Sequence, residues 1–123
     1  MKMMILERPI TTTANACQLQ IKVANSFVSR FRGLMFSPPL PPATGLLLAP
    51  CNSIHMLFMR FPLDVIYIDQ DYRILKTVEK LSPWIGLSAC IQSQVWGVLE
   101  LPVGTIQEFQ LQVGQQFFIH KEE

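Results

Sequence analysis

The chain has 123 residues, of which 50% are hydrophobic and 15% are charged, and its mean hydropathy is +0.29. This composition is too apolar for a disordered chain, and the length predicts one domain, residues 1–123, with a packed core. Ten Lys and Arg against nine Asp and Glu leave a net charge of +1, which disfavours nucleic-acid binding because no basic stripe can neutralise a row of phosphates.

The start of the chain carries only short apolar runs. A signal peptide needs an apolar segment of about 7–15 residues, and a helix that spans a bilayer needs about 20. Residues 1–16 contain neither. We therefore expect a cytoplasmic protein without a transmembrane segment, in which residues 1–16 form a loosely ordered N-terminal segment.

The first half of the chain predicts two strands and a helix. Residues 17–23 alternate apolar and polar side chains, as a half-buried strand does. Apolar residues within 25–35 recur at helical spacing and predict a short helix with one apolar stripe. After a proline-rich loop, the continuous apolar run 45–49 predicts a buried strand.

The middle of the chain predicts a second group of strands. Residues 54–59 and 63–68 have strand composition and are separated by Pro62, which interrupts a hydrogen-bonded ladder. Turn residues at 69–71 then predict a hairpin to a strand at 73–79.

The last third combines strands with a second helix. Residues 95–101 and 116–120 are strand-like, and Thr105 with Glu108 fits a capping box that begins a short helix to about residue 111. Together these elements predict an α+β fold, predominantly β, with short strands in a compact barrel-like sheet and two short helices.

Three motifs, in this order and spacing, resemble one known family. They are RFRGLMF at 30–36, the run from GLLL at 45–48 to FMRFPLDVIYID at 58–69, and VLELPVG at 98–104. The region 23–119 is thus similar to the bacterial and archaeal family called domain of unknown function 192 (DUF192). The resemblance implies a small, mainly β, barrel-like fold, no established activity and no known catalytic residues.

The densest polar cluster in an apolar stretch contains Cys51, His55, Arg60 and Asp64. These side chains suggest a pocket wall in which Arg60 binds an anion and His55 exchanges a proton. In one regular strand, however, His55 and Arg60 face opposite sides, so only a bulge or a break could bring them together. Asp64 shares a buried face with Ile66, where it forms a structural ion pair or cap, or contacts a ligand.

The cysteines allow two further interpretations. Cys17, Cys51 and Cys90 are widely spaced, which favours reduced thiols over disulfides. Cys51 and His55 could be half of a metal site, or a nucleophile with its base. Because no other metal ligand has motif spacing, we expect no metal and no cofactor.

Two charged residues outside this cluster belong to the family-like motifs. Arg30 either forms a surface ion pair or clamps the proline loop, or it contacts an anion at the mouth of a pocket. Glu100 most simply faces solvent or caps the next turn, although a buried, paired position stays open.

These observations favour a small binding or accessory domain that is not an enzyme. It would hold a small polar ligand or a protein partner in a groove beside residues 54–64, with Arg30, His55, Arg60, Asp64 and Cys51 as candidate contacts. The alternatives are an enzyme that uses Cys51 and His55, and a structural subunit of a complex.

Overall fold

The computed structural model describes residues 2–26, 29–30, 33–35, 38–56 and 58–122. Within these residues the chain forms nine strands and one helix whose bounds are defined. They are β1 (Lys2–Arg8), β2 (Cys17–Ala24), β3 (Thr44–Leu48), β4 (Ser53–His55), β5 (Leu63–Ile68), β6 (Ile74–Leu81), β7 (Leu87–Ala89), β8 (Gly97–Pro102), α1 (Thr105–Glu108) and β9 (Phe118–Glu122). No described part of the chain forms a helix with the length and apolarity needed to cross a membrane.

Seven of the strands form one sheet in the order β6-β5-β8-β3-β2-β1-β9, and β4 pairs with β7 in a separate small sheet. β2 and β3 run parallel, and the other described pairs are antiparallel. β8 lies between β5 and β3 near the middle of the large sheet, so its side chains are buried on both faces.

The prediction of a mostly β chain is confirmed, but the sheet is not a closed barrel in the part of the chain that the structure describes. β6 and β9 are its two edges, and one isolated bridge, Arg73 to Gln116, connects their ends. All five residues of β9 are exposed, and they include His120 and Lys121. Charged, exposed residues of this kind are how natural proteins protect an unpaired sheet edge.

The expectation of a loosely ordered segment at 1–16 is wrong for residues 2–8. They form β1, which pairs with β2 over its whole length and also with β9. Every second residue from Met4 points inward, so Met4, Leu6 and Arg8 are buried. The guanidinium of Arg8 donates to the carbonyl oxygens of Phe109 and Asn15, so a charged residue occupies a core position.

The strand predictions agree with the structure except at β4. β2, β3, β5, the β5–β6 hairpin, β8 and β9 lie where the sequence predicts them, with shifts at their ends. The strand predicted at 54–59 instead covers only Ser53–His55. It stops because the backbone turns at Phe58, which has a positive φ of 63°.

The prediction of two short helices is wrong in number, since one helix is described from end to end. Of the helix predicted over 25–35, Ser29 and Arg30 are helical, and positions 27, 28, 31 and 32 lie outside the described residues. The capping box at α1 is also wrong. Gly104 is the N-cap and receives no side-chain cap hydrogen bond, while the Thr105 hydroxyl donates to the carbonyl of Pro102.

The large sheet packs apolar side chains on both faces. One face, called here the helix face, carries Ile21, Leu47, Leu99 and Leu101 against Ile106 of α1. The opposite face, called the small-sheet face, is covered by residues of β4 and neighbouring segments. Its buried side chains include Leu46, Leu48, Val65, Tyr67, Val98, Ile54 and Met59.

Asp64 is fully buried in β5 and ties three elements together. Its Oδ1 accepts the Lys80 N–H at 3.1 Å, and its Oδ2 accepts the N–H groups of Gly104 at 3.0 Å and Ile106 at 2.9 Å. These donors satisfy the carboxylate, and the carboxylate in turn supplies the N–H groups at the start of α1 with the acceptor that Thr105 does not provide. Of the roles considered for Asp64, a structural cap is the one that matches these hydrogen bonds.

We predict that Asp64→Asn lowers the free energy of unfolding by about 2–3 kcal/mol, because one of three backbone N–H groups then meets an amide donor instead of a charged acceptor. Chemical denaturation measures this change. Asp69→Asn is the matched control. Oδ1 of Asp69 alone accepts the N–H groups of Asp71 and Arg73, and an Asn oxygen can replace it. Equal losses in the two variants would contradict this assignment.

Candidate functional site

Glu100 is the one polar side chain on the small-sheet face of β8. Leu99 and Leu101 point to the helix face, so Val98 and Glu100 point the other way. Glu100 pairs in register with Leu46 of β3 on one side and with Val65 of β5 on the other. A carboxyl group in the middle of a sheet is thus surrounded by apolar neighbours, and its side chain is 3% exposed.

The carboxyl group of Glu100 has an unused hydrogen-bonding atom. Its Oε1 is buried, and none of the described residues donates a hydrogen bond to it. A buried polar atom without a partner costs about 1–3 kcal/mol. Such an atom in a folded chain requires an explanation, and one explanation is a group that binds there.

Gly33 leaves space in front of this carboxyl group. A Cβ atom at that position would lie 3.1 Å from Glu100 Oε1, and Gly33 has a positive φ of 49°. Glycine adopts this backbone conformation without the steric cost that other residues pay. The backbone at Gly33 therefore approaches Glu100 closely.

Burial raises the pKa of the Glu100 carboxyl from 4.5 to about 8. Loss of water is the cause, because a carboxylate in apolar surroundings loses its hydration and gains no compensating charge. At neutral pH the group is therefore mostly protonated, and it can both donate and accept a hydrogen bond.

Glu100 lines a cavity of about 330 Å³ that lies between β4 and residues 30 and 33–35. The polar side chains around it come from three separate parts of the chain. They are Arg30, Cys51, Ser53, His55 and Glu100. The other described residues that line the cavity are Gly33 and five apolar side chains, Leu34, Met35, Leu48, Ile54 and Met59.

The wall on the side of β4 is held in place by a hydrogen bond to the large sheet. Tyr67 of β5 donates its hydroxyl to Ser88 Oγ of β7 at 2.8 Å, and burial raises the pKa of Tyr67 to about 12. The hydroxyl thus keeps its proton at neutral pH. The backbone N–H of Cys51 donates to the carbonyl of Trp96 at 2.9 Å, which attaches the other end of this wall.

The structure brings together three of the five side chains that the sequence singles out. Arg30, Cys51 and His55 line the cavity, whereas Arg60 is exposed and Asp64 lies on the helix face. The expected separation of His55 from Arg60 is found, but its cause is that β4 ends at His55 rather than continuing through Arg60.

Cys51 has the environment of a protonated thiol. Its Sγ donates to the carbonyl of Ser53 at 3.0 Å. Burial raises the pKa of the Cys51 thiol, although the Ser53 hydrogen bond and the charge of Arg30 act in the opposite direction. Among the described residues, no three His, Cys, Asp or Glu side chains are placed so that they could hold a metal ion.

The expectation that Glu100 faces solvent or caps a turn is wrong. A signal for its burial exists in the sequence, since Glu100 interrupts an otherwise apolar strand, and such strands lie in the middle of sheets. The sequence does not reveal that Gly33 lies against the carboxyl group, because this contact joins positions far apart in the chain.

A wider concavity of about 680 Å³ lies elsewhere on the surface, where Asp69 and Trp96 contribute to its lining. The carboxylate of Asp69 is occupied by backbone N–H groups of its own turn. None of the described residues that line this concavity has a buried side-chain polar atom without a partner. The smaller cavity at Glu100 is therefore the candidate site.

Comparison with known proteins identifies similar sequences. The model of the DUF192 family, described as "Uncharacterized ACR", matches residues 9–119. A UPF0127 protein of Thermococcus sibiricus is 30% identical over 101 residues, 79% of this chain and 64% of its own length. One of Thermococcus kodakarensis is 31% identical over 109 residues, 84% of this chain and 66% of its own length. The chain thus spans just under two thirds of the length of these relatives.

Two crystal structures share the fold. A Sinorhizobium meliloti protein, provisionally named a transcription regulator, has a TM-score of 0.86 and 23% identity over 97% of this chain and 94% of its own. A Novosphingobium aromaticivorans protein of unknown function has a TM-score of 0.83 and 19% identity over 94% of this chain and 84% of its own. At these identities the likeness shows the fold alone.

We predict that Glu100→Gln changes how stability depends on pH. The folded chain retains the Glu100 proton up to about pH 8, whereas the unfolded chain releases it near 4.5. Folding therefore loses up to about 1.4 kcal/mol per pH unit as the pH rises through this window, and Gln abolishes that loss. Denaturant unfolding of both chains in steps from about pH 5 to pH 9 measures the difference. Parallel pH profiles would contradict the buried position.

Proposed function

Because the chain belongs to the DUF192 family, whose name records no activity, we propose its function from the cavity: a non-catalytic domain that binds one small polar ligand at Glu100. The observation that carries the proposal is the unpaired Oε1, buried at a cavity wall. A ligand that hydrogen-bonds to this atom removes the cost of leaving it unpaired.

The cavity has the composition of a small-molecule site. Such sites are mostly apolar, with a few polar groups that orient the ligand, and they have volumes of about 300–1,000 Å³. The volume of about 330 Å³ and the five apolar side chains of the wall fit the lower end of this range. The bound molecule is therefore small.

The location refines the groove expected beside residues 54–64. Its first part, Ile54 and His55, forms one wall, and Met59 closes it. Beyond Met59 the chain turns away, and Asp64 lies on the other face of the sheet. The ligand contacts that support the proposal are Glu100, His55 and Cys51, with Arg30 at the same cavity.

The alternative enzyme would use Cys51 as a nucleophile and His55 as its base. Both side chains line the cavity, which keeps this alternative open to test. The raised pKa of the Cys51 thiol argues against it, since a thiolate rather than a thiol is the reactive species.

The expectations of a protein partner or a larger complex remain predictions. Exposed apolar side chains that a partner would cover include Trp84, Ile85 and Leu87, which are 52%, 86% and 76% exposed. An assignment to transcription, taken from the name of the Sinorhizobium protein, finds no support in the net charge of +1.

We predict that a small-molecule panel of amines, amides, sugars and organic acids contains a compound that raises the melting temperature. At about 100 times its Kd, a ligand stabilises the folded chain by about 2.7 kcal/mol, or several degrees. The shift disappears in Glu100→Gln and persists in Glu79→Gln, which makes the same change at an exposed glutamate of β6. A flat panel, or a shift that persists in Glu100→Gln, would contradict the proposal.

We also predict slow alkylation of Cys51 at neutral pH, because its thiol is protonated and hydrogen-bonded to Ser53. Mass spectrometry after iodoacetamide treatment gives the rate, with N-acetylcysteine as the reference thiol. His55→Ala leaves this rate unchanged. A rate above that of the reference, lost in His55→Ala, would establish the cysteine–histidine pair instead.

A further inference from the structure

Resting on the function proposed above, we propose that the ligand at Glu100 is a small organic cation. It carries N–H donors, as an ammonium or amidinium group does, on a compact apolar body. This assignment differs from the anion contact that Arg30 and Arg60 suggest in the sequence, because the deepest polar group of the cavity is an acid.

The first argument is the absence of a compensating charge at Glu100 among the described residues. Burial is the cause of its raised pKa, and no cation of the described residues lowers it. Arg30, the described cation that lines the same cavity, donates through Nη1 to the carbonyl of Asn25 at 2.7 Å. A ligand with a positive charge would give Oε1 of Glu100 the partner that none of the described residues provides.

The second argument is the strength of the interaction that a cation can gain there. Attraction between opposite charges increases as the surroundings become less polar, and Glu100 is 3% exposed. Hydrogen bonds between ionised partners are roughly twice as strong as those between neutral ones. A cation with N–H donors therefore gains more at Oε1 than a neutral donor of the same shape does.

The third argument is the apolar remainder of the wall. Leu34, Leu48 and Ile54, with the thioethers of Met35 and Met59, surround the space next to the carboxyl group. They fit a hydrocarbon body attached to the charged group, and they give an extensively hydroxylated molecule few partners.

The protonation of Glu100 gives the proposal a distinctive pH dependence. The other titratable or charged groups that line the cavity are Arg30, Cys51 and His55, and Tyr67 lies beneath its wall. An ammonium group binds the ionised carboxylate, so binding releases the Glu100 proton and strengthens as the pH rises to about 8. A neutral ligand that accepts a hydrogen bond from the protonated acid shows the opposite trend.

The test compares amines with neutral molecules of the same shape. Benzylamine, n-butylamine and benzamidine are titrated into the wild-type chain by calorimetry, alongside benzyl alcohol, n-butanol and benzamide. At least one amine should bind more tightly than its neutral counterpart. Its affinity should rise by up to about tenfold per unit between about pH 6 and pH 8. This series uses the wild-type chain, so it does not depend on the folding of a variant.

Two variants assign the effect to the carboxyl group. Glu100→Gln should weaken binding of that amine by about ten- to a hundredfold and remove the pH dependence. Glu79→Gln, the exposed control, should leave both unchanged.

The outcomes separate this inference from the function on which it rests. If neutral or anionic molecules bind in a Glu100-dependent way and the amines do not, the assignment of the ligand as a cation is wrong and the proposed binding function stands. An amine affinity that stays constant or falls as the pH rises also contradicts the assignment of the ligand as a cation. If the amines, their neutral counterparts and the organic acids all fail to bind, both proposals fail.

Discussion

The burial of Glu100 in the central strand of the large sheet is the constraint on which the account of the site depends. β8 pairs with β3 and β5, so every side chain on this strand enters an apolar layer on one face or the other. A carboxyl group in that position has lost its water, and it keeps its proton at neutral pH. Gly33 lets the backbone come close to this carboxyl group, and residues of β4 contribute to the wall of the cavity.

Two buried carboxyl groups show how the same residue chemistry serves different purposes on the two faces of one sheet. Asp64 and Glu100 lie on the neighbouring strands β5 and β8. Asp64 accepts three backbone N–H groups and connects β5, β6 and the start of α1. Glu100 Oε1 receives no hydrogen bond from the described residues. The first group is satisfied by the fold itself, whereas the second is the group at which we propose that a ligand binds.

The sequence predicts the local elements well, because hydrophobic alternation and turn residues determine β2, β5 and the β5–β6 hairpin. It misses β1, whose last residue is a charged side chain buried at a core position, where the guanidinium donates to the carbonyl oxygens of Phe109 and Asn15. It also misses the centre of the site. The positions of His55 and Cys51 in one cavity, and of Gly33 against Glu100, depend on contacts between distant segments. Strand register and the path of the connecting loops set these contacts, and neither leaves a local pattern in the residues.

The central claim is that Glu100 is a buried acid to which no described residue brings a compensating charge, and its own titration tests this most directly. The chain would be labelled with ¹³C at the glutamate side-chain carboxyl carbon, and the resonance of Glu100 would be assigned by its absence from Glu100→Gln. Nuclear magnetic resonance spectra in steps from about pH 4 to pH 9 then follow this carbon in the ligand-free protein. We predict a midpoint of about 8, as burial alone requires. A midpoint at or below the ordinary value of 4.5 would show a carboxylate that is hydrated or paired with a cation, and would contradict the account.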